Sequence, residues 1–270
     1  MGLRIEGEKT VAKKDASTVQ SVIRSLHLLE IISREQKIGI SELARQSNLK
    51  KTSVARLADT LEQAGFVEQD PVDKRYSLTV KLFEIGSRSL GLDIRIQARP
   101  LIRQFVNEHS MSVLLSVLDG HEVLYVDKIE AQELFRIMLS VGARGPAHCT
   151  ASGKAMFAFI EPRRVREILG ILPSFTPNTL TDYDSLAKDL AGVRTRGYSL
   201  DRSERHADLC SAGAPIFNSA NEVIAAVSVP RMATITDSEL AALGERVALL
   251  AREISERRGW RGTYPPQTSQ

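Results

Sequence analysis

The stretch most crowded with reactive side chains is Val141-Gly142-Ala143-Arg144-Gly145-Pro146-Ala147-His148-Cys149-Thr150-Ala151-Ser152-Gly153-Lys154-Ala155, a glycine-bearing loop entering a helix. Its Gly-Lys pair invites comparison with a nucleotide-phosphate loop. That motif needs glycine five residues before Gly153, where this chain has His148. It also needs a hydroxyl after the lysine to hold magnesium, and Ala155 stands there. A nucleophile elbow around Ser152 needs glycine at position 150, which is Thr150. Cys149 beside His148 has the residue types of a thiol nucleophile and its base, but neighbours on an extended segment point to opposite faces.

A metal site is the second chemistry these residue types allow. His206 and Cys210 have the spacing of one helix face, and with His148 and Cys149 they would make a four-ligand set. No short Cys-x-x-Cys or His-Glu-x-x-His pattern supports it, and small core cysteines with a surface histidine account for the same residues. No acid, base and nucleophile set can be assembled, so neither a catalytic residue nor a cofactor is expected. What remains is a helix start at Thr150, Ala151 and Ser152, whose free N–H groups suit either a small anion or an ordinary N-cap.

The elements that must carry these residues divide into two textures. Val19, Val22, Ile23, Leu26, Leu29 and Ile32 recur at helical spacing, a short helix opens at Ser41-Glu42-Leu43-Ala44, and Lys51 to Ala64 makes a third helix closed by Gly65. Two alternating segments around Asp70-Pro71-Val72-Asp73 then form a hairpin. Val80 to Arg103 returns to helical rhythm, with Pro100 opening a further helix. Beyond His109 the chain turns to strands at Val113 to Leu118 and Val123 to Ile129 around Asp119-Gly120, with another at Leu134 to Leu139. Helices follow at Ala151 to Phe159, Pro162 to Leu169 and Asp182 to Arg196, then strands at Leu209 to Phe217 and Val223 to Val229. Thr236 and Glu239 have the form of a capping box for a last helix with Leu240, Leu243, Val247, Leu250 and Ile254 on its buried stripe. The fold class is α+β, in two domains, as 270 residues with 43% hydrophobic content suggest.

Thirty-six basic against 33 acidic residues give a net charge of only +3, so a nucleic-acid partner must be argued from where the charges sit. Helix, short helix, turn, helix and hairpin is the order of a winged helix-turn-helix. At about 100° per residue, Val54, Leu57, Ala58 and Leu61 share one face of the third helix while Thr52 and Arg56 face away with Ser53 beside them. Lys50, Lys51, Thr52 and Ser53 crowd its positive end, where phosphate is favoured; Arg56 has the fork for guanine, and Lys74 and Arg75 in the wing reach toward adjacent backbone. Taken singly these charges fit a solvated helix face; taken with the short helix and the wing they point to DNA. Two cysteines exclude a disulfide framework, no apolar run reaches the roughly 20 residues of a membrane span, and the polar Met1 to Ser17 lacks a signal-peptide core, so a cytoplasmic protein is expected.

From about Thr18 to Arg258 the chain resembles the IclR family of bacterial transcriptional regulators. The match is carried by Ser41-Glu42-Leu43-Ala44, Leu49-Lys50-Lys51-Thr52-Ser53-Val54-Ala55-Arg56-Leu57 and Leu61-Glu62-Gln63-Ala64-Gly65-Phe66-Val67 in the first half. In the second half it is carried by Pro146 to Ala155 and by Arg196-Gly197-Tyr198-Ser199-Leu200-Asp201 with Glu204. The resemblance implies a winged DNA-binding domain over 18–80, a linker helix over 81–100 and a GAF-like effector-binding domain over 101–259, while composition gives a flexible arm over 1–17 and, with Pro265-Pro266, a disordered tail over 260–270. It also implies homodimers or homotetramers on operator DNA, with a small organic or aromatic acid as effector. In the family's pocket it places Ala151 and Ser152 at the helix start, Asp201, Ser211 and Ser228 on the opposing segments, and Leu134 and Met138 as apolar walls. The chain departs from the family at Asp208, where glycine is common, at Cys210, which is offset from the usual cysteine, and at Pro230, where some pockets have serine. A metal-sensing repressor and an enzyme with an appended DNA-binding domain are the alternatives.

Overall fold

The computed structural model describes residues 18–89, 93–131 and 140–266, and divides into two compact units, Met1–Gly91 and Leu92–Gln270. The expected arm over 1–17, the strand expected at Leu134 to Leu139, and with it Leu134 and Met138, lie outside the described residues.

In the first unit, α1 (Gln20–Glu35), α2 (Ile40–Ser47) and α3 (Lys51–Gln63) close around Leu28, Ile32, Leu43, Val54 and Ala58. Asn48 makes the turn between α2 and α3 possible by adopting φ +54°, which its short polar side chain tolerates better than most. The hairpin is β2 (Val67–Gln69) and β3 (Arg75–Leu78), and β3 also pairs with a two-residue strand, β1 (Ile38–Gly39), giving the order β1-β3-β2. Asp70 ties the wing turn: its Oδ1 accepts from Val72 N at 2.9 Å and its Oδ2 from Lys37 Nζ at 3.0 Å. The apolar stripe of α1 is only half used within the unit. Leu28, Leu29, Ile31 and Ile32 are buried, whereas Val19, Val22, Ile23 and Leu26 are 47–60% exposed.

Two helices occupy the stretch expected to be one linker. α4 (Lys81–Ser89) is anchored to the first unit by Lys81 Nζ, which donates to Ala64 O at 2.6 Å. α5 (Asp93–His109) belongs to the second unit, where Ile94, Ala98, Ile102 and Phe105 join the core, and Pro100 lies inside it rather than opening it. Burial of that apolar stripe on the sheet outweighs the local preference of proline for a helix start.

The second unit is a six-stranded antiparallel sheet covered on both faces. Its strands are β4 (Val113–Asp119), β5 (Glu122–Ile129), β6 (Arg144–Pro146), β7 (Ser199–Arg202), β8 (Leu209–Phe217) and β9 (Val223–Met232), in the order β6-β5-β4-β9-β8-β7. α5 and the last helix, α9 (Asp237–Arg257), cover one face; the other carries α6 (Ala151–Phe157), α7 (Pro162–Leu169) and α8 (Tyr183–Arg196). The expected capping box is present at Thr236 and Glu239, and all five expected positions of the α9 stripe are buried. The tail is a correction: Trp260 is buried, its Nε1 donates to Asn221 Oδ1 at 2.8 Å, and the Tyr264 hydroxyl donates to Pro215 O at 3.0 Å. Two aromatic anchors hold residues 260–266 against the unit, where the proline-rich composition alone suggested disorder.

Candidate DNA interface and effector site

The first candidate surface is the outer face of α3 with the wing. Val54, Ala58 and Leu61 are buried as the helical angle requires, which turns Lys51, Thr52 and Arg56 to solvent, with Ser53 half-buried at the edge and Lys50 exposed just before the first turn. Lys74 and Arg75 are exposed on the wing, Lys74 with φ +59° at the end of the turn. None of these five cations forms an ion pair among the described residues. Other cations of the unit do: Arg45 pairs with Glu42 at 2.5 Å and Lys37 with Asp70 at 3.0 Å. The unpaired cations converge on the surface that a major groove and its phosphates would meet, and no carboxylate must be displaced before they bind.

The second candidate lies where the start of α6 presses on the sheet. A Cβ on Gly213 of β8 would stand 2.8 Å from the Ala151 carbonyl carbon, and one on Gly153 would stand 2.1 Å from Ala147 O, so this approach needs glycine on both elements. The Ser199 hydroxyl seals it by donating to Ala151 O and, at 3.2 Å, to Gly213 O. Strand register then gathers the expected polar residues on this face: Asp201 is opposite Ser211, and Ser228 is opposite Gly213, two residues on. Ser211 Oγ donates to Asp201 Oδ2 at 3.2 Å, and Glu204 N donates to Asp201 Oδ1 at 2.8 Å. Burial, with the neighbouring Glu204 carboxylate, pushes the Asp201 carboxyl up to about 7 even though it accepts the Glu204 N–H. The Ser152 hydroxyl is buried without a hydrogen bond of ordinary geometry, although the Tyr125 hydroxyl of β5 is near enough to feel it. Tyr125 itself is pushed up to about 12 by burial and by Asp201.

Several residues in this region were not singled out as site residues from the sequence. Lys154, 1% exposed, donates to Glu204 Oε1 and to Leu200 O at 2.6 Å and stands 2.9 Å from Asp189 Oδ2, while Arg196 lies 3.3 Å from Asp189 Oδ1. Burial pulls Lys154 down, but Glu204 and Asp189 outweigh it and hold the ammonium above its ordinary value. Glu204, whose burial outweighs Lys154, rises. The loop after β7 is stitched to the segment before α8: Thr176 Oγ1 donates to Ser203 O at 2.7 Å and Thr179 Oγ1 to Glu204 O at 2.6 Å. Between these two segments the half-buried Arg205 lies over the Phe175 ring, its guanidinium carbon 4.0 Å from the centroid. The sequence signal for such a network is weak, because Lys154 and Glu204 are 50 residues apart.

The covalent and metal chemistries do not assemble. His148 and Cys149 occupy one short 3-10 turn, Ala147–Cys149, rather than an extended segment, with His148 Nε2 3.0 Å from Pro173 O and the Cys149 thiol turned to Pro146 O. Burial and Asp201 push that thiol up to about 12, far from a thiolate. His206 and Cys210 do not share a helix face, since His206 sits in a turn and Cys210 in β8, where its sulfur contacts Ser203 Oγ at 3.4 Å. Among the described residues no three His, Cys, Asp or Glu side chains gather as a metal site, and no helix is long and apolar enough to cross a membrane.

Comparison with known proteins covers both units. Residues 21–71 match the IclR helix-turn-helix domain, and residues 89–256 match the family described as bacterial transcriptional regulator IclR C-terminal. The HTH-type transcriptional regulator KdgR of Escherichia coli (strain K12) is 33% identical over 258 residues, covering 93% of this chain and 97% of that protein. The crystal structure of the Thermotoga maritima IclR has a TM-score of 0.73 at 28% identity, covering 89% of this chain and 99% of that one. An IclR homolog from Microbacterium hydrocarbonoxydans, crystallised as a complex with 4-hydroxybenzoate, shares the fold with a TM-score of 0.74 at 24% identity, covering 87% of this chain and 98% of its own. With both units matched by the family's two domain models and a relative 33% identical along almost the whole chain, the chain belongs to the IclR family of DNA-binding transcriptional regulators, a non-enzymatic family.

Proposed function

We propose that this regulator is controlled by a small organic or aromatic acid bound beneath α6, and that it governs catabolic genes from a symmetric operator in the cytoplasm. The observation that carries the effector reading is the polar cluster of Ser152, Asp201, Ser211 and Ser228, gathered on one face of the sheet with the Ser152 hydroxyl left without an ordinary partner. A buried hydroxyl is normally paired, and a ligand supplies the missing partner. That a fold relative was crystallised with 4-hydroxybenzoate favours an acid of that class. Ala151 shapes the wall, and Leu134 and Met138 are retained as its apolar complement.

On the DNA side, Arg56 reads a base, Lys50, Lys51, Thr52 and Ser53 meet phosphate or base at the start of α3, and Lys74 and Arg75 hold the flanking backbone. The active species is at least a homodimer, because one recognition helix covers too little groove for specificity. The exposed Val19 just before α1 and Val22, Ile23 and Leu26 on it, with Val80 at 83% exposure just before α4 and Phe83 at 70% within it, supply apolar surface for a second copy. The test is to sequence the DNA fragments retained by the purified chain, then titrate the recovered operator against a panel of small acids. A palindromic operator whose affinity changes with one acid is the expected result. Turnover of the acid, or one monomer per operator by sedimentation, would defeat the reading.

A further inference from the structure

We propose that Arg205, laid on the Phe175 ring, is the residue that selects a carboxylate over its neutral isosteres in the effector site; this rests on the effector reading above. Three features of its surroundings point there. Other cations of the neighbourhood are spent on protein carboxylates: Lys154 on Glu204 and Asp189, Arg196 on Asp189, and Arg202 on Asp237 at 3.1 Å. Arg205 alone among these four has no ion pair or hydrogen bond among the described residues, only the stack on Phe175. Stacking occupies the flat face of a guanidinium and leaves its N–H edge, the side that grips a carboxylate with two parallel bonds, available.

Its position suits the role. Phe175, which carries Arg205, stands 6.0 Å ring to ring from His148 in the turn before α6, so the guanidinium lies on the side of the sheet where α6 brings Ser152 toward Asp201, and its charge is felt at Tyr125 and Cys149. The platform is held in advance of any ligand. Thr176 and Thr179 fasten the Phe175 segment to Ser203 and Glu204, the residues just before Arg205, and His148 meets the same segment at Pro173. A cation fixed before binding loses little conformational freedom when the ligand arrives. With Lys154 and Arg196 balanced by Glu204 and Asp189, and Arg202 by Asp237, Arg205 is the one of these four described cations whose charge is left to offset an incoming anion.

Calorimetric titration of the full chain with three acid and amide pairs tests this: lactate and lactamide, benzoate and benzamide, 4-hydroxybenzoate and 4-hydroxybenzamide. The wild type is expected to prefer at least one acid over its amide. Arg205→Gln should weaken that acid roughly 10- to 100-fold while moving the amide less than about twofold, collapsing the ratio. Equal losses for acid and amide would mean that Arg205 only supports the loop, and no loss for either would mean that it only stacks; either result leaves the ratio unchanged, overturns the proposal and leaves the effector reading standing. A wild type that binds none of the acids removes both. Should Arg205→Gln not fold, Arg205→Lys, which keeps the charge and loses the planar fork, must still narrow the ratio, and a ratio equal to wild type overturns the assignment.

Discussion

The two units treat charge in opposite ways. In the first, Lys50, Lys51, Arg56, Lys74 and Arg75 stay exposed and form no ion pair among the described residues. In the second, Lys154 is sealed from water and held by two carboxylates and a carbonyl. Phosphate recognition works by exchanging counterions, so its cations gain nothing from protein partners. A buried charge has no such freedom and must be compensated on the spot. One unit thus keeps its charge for a partner, while the other uses charge to shape a site, where Arg205 differs from Lys154, Arg196 and Arg202 in having no ion pair among the described residues.

The sharpest way to break this contrast is to remove the buried cation. Lys154→Met leaves the buried Glu204 without its cation and Asp189 with Arg196 alone, and should cost about 3–5 kcal/mol, read as a lowered thermal transition of the second unit. Adding Glu204→Gln and Asp189→Asn should recover part of the loss. A transition unmoved by Lys154→Met would show that the charges are solvated after all. In the first unit the same kind of deletion should leave folding alone and act on DNA. Arg56→Ala is expected to lose about 1–3 kcal/mol on the best operator and far less on scrambled DNA. Lys74→Ala should weaken both DNAs evenly and reduce the slope of log affinity against log salt by about 0.9, measured by titration at several salt concentrations.

A pH series sharpens the comparison next. The Asp201 carboxyl, raised to about 7, is largely protonated at pH 6 and ionised at pH 8. Its neighbours are Ser211 on β8, Glu204 in the loop after β7, Lys154 from α6, Tyr125 from β5 and Cys149 from the turn before α6. Ionisation adds a negative charge beside the site, so affinity for a carboxylate effector should fall as pH rises through 7, by up to about tenfold per unit. Asp201→Asn should flatten that profile in calorimetric titrations. The same raised value means that Asp201 contributes most to stability at low pH and loses that contribution as pH rises through about 7. The smallest effect belongs to a local surface contact: Thr236→Ala removes the α9 cap and should cost about 1 kcal/mol by denaturant titration, without touching either ligand.

Much of the architecture was legible because its causes are short-range. The capping box at Thr236 and Glu239, the Asp119-Gly120 hairpin and the outward face of α3 each depend on residues within a few positions of one another. The candidate DNA surface was legible for the same reason, since helical angle alone decides that Arg56 turns out when Val54 and Ala58 turn in. The effector side was legible only where the family resemblance supplied it. β1 has two residues and exists because Ile38 meets Tyr76 across the sheet, and α5 begins before Pro100 because Ile94 and Ala98 find a core. Trp260 and Tyr264 convert an apparently loose tail into a packed one by reaching Asn221 and Pro215.

By itself, then, the sequence determined two domains, the winged helix-turn-helix with its outward cations, and the family to which they point. These follow from periodicity, turn chemistry and charge read along the chain. Only the tertiary structure decided which cations are spent and which are left. Lys154 finds Glu204 and Asp189, and Arg205 finds the Phe175 ring, through contacts between segments that are distant in sequence. Such pairing is set by how α6 and the loop after β7 close over the sheet, and a one-dimensional pattern carries no term for that closure.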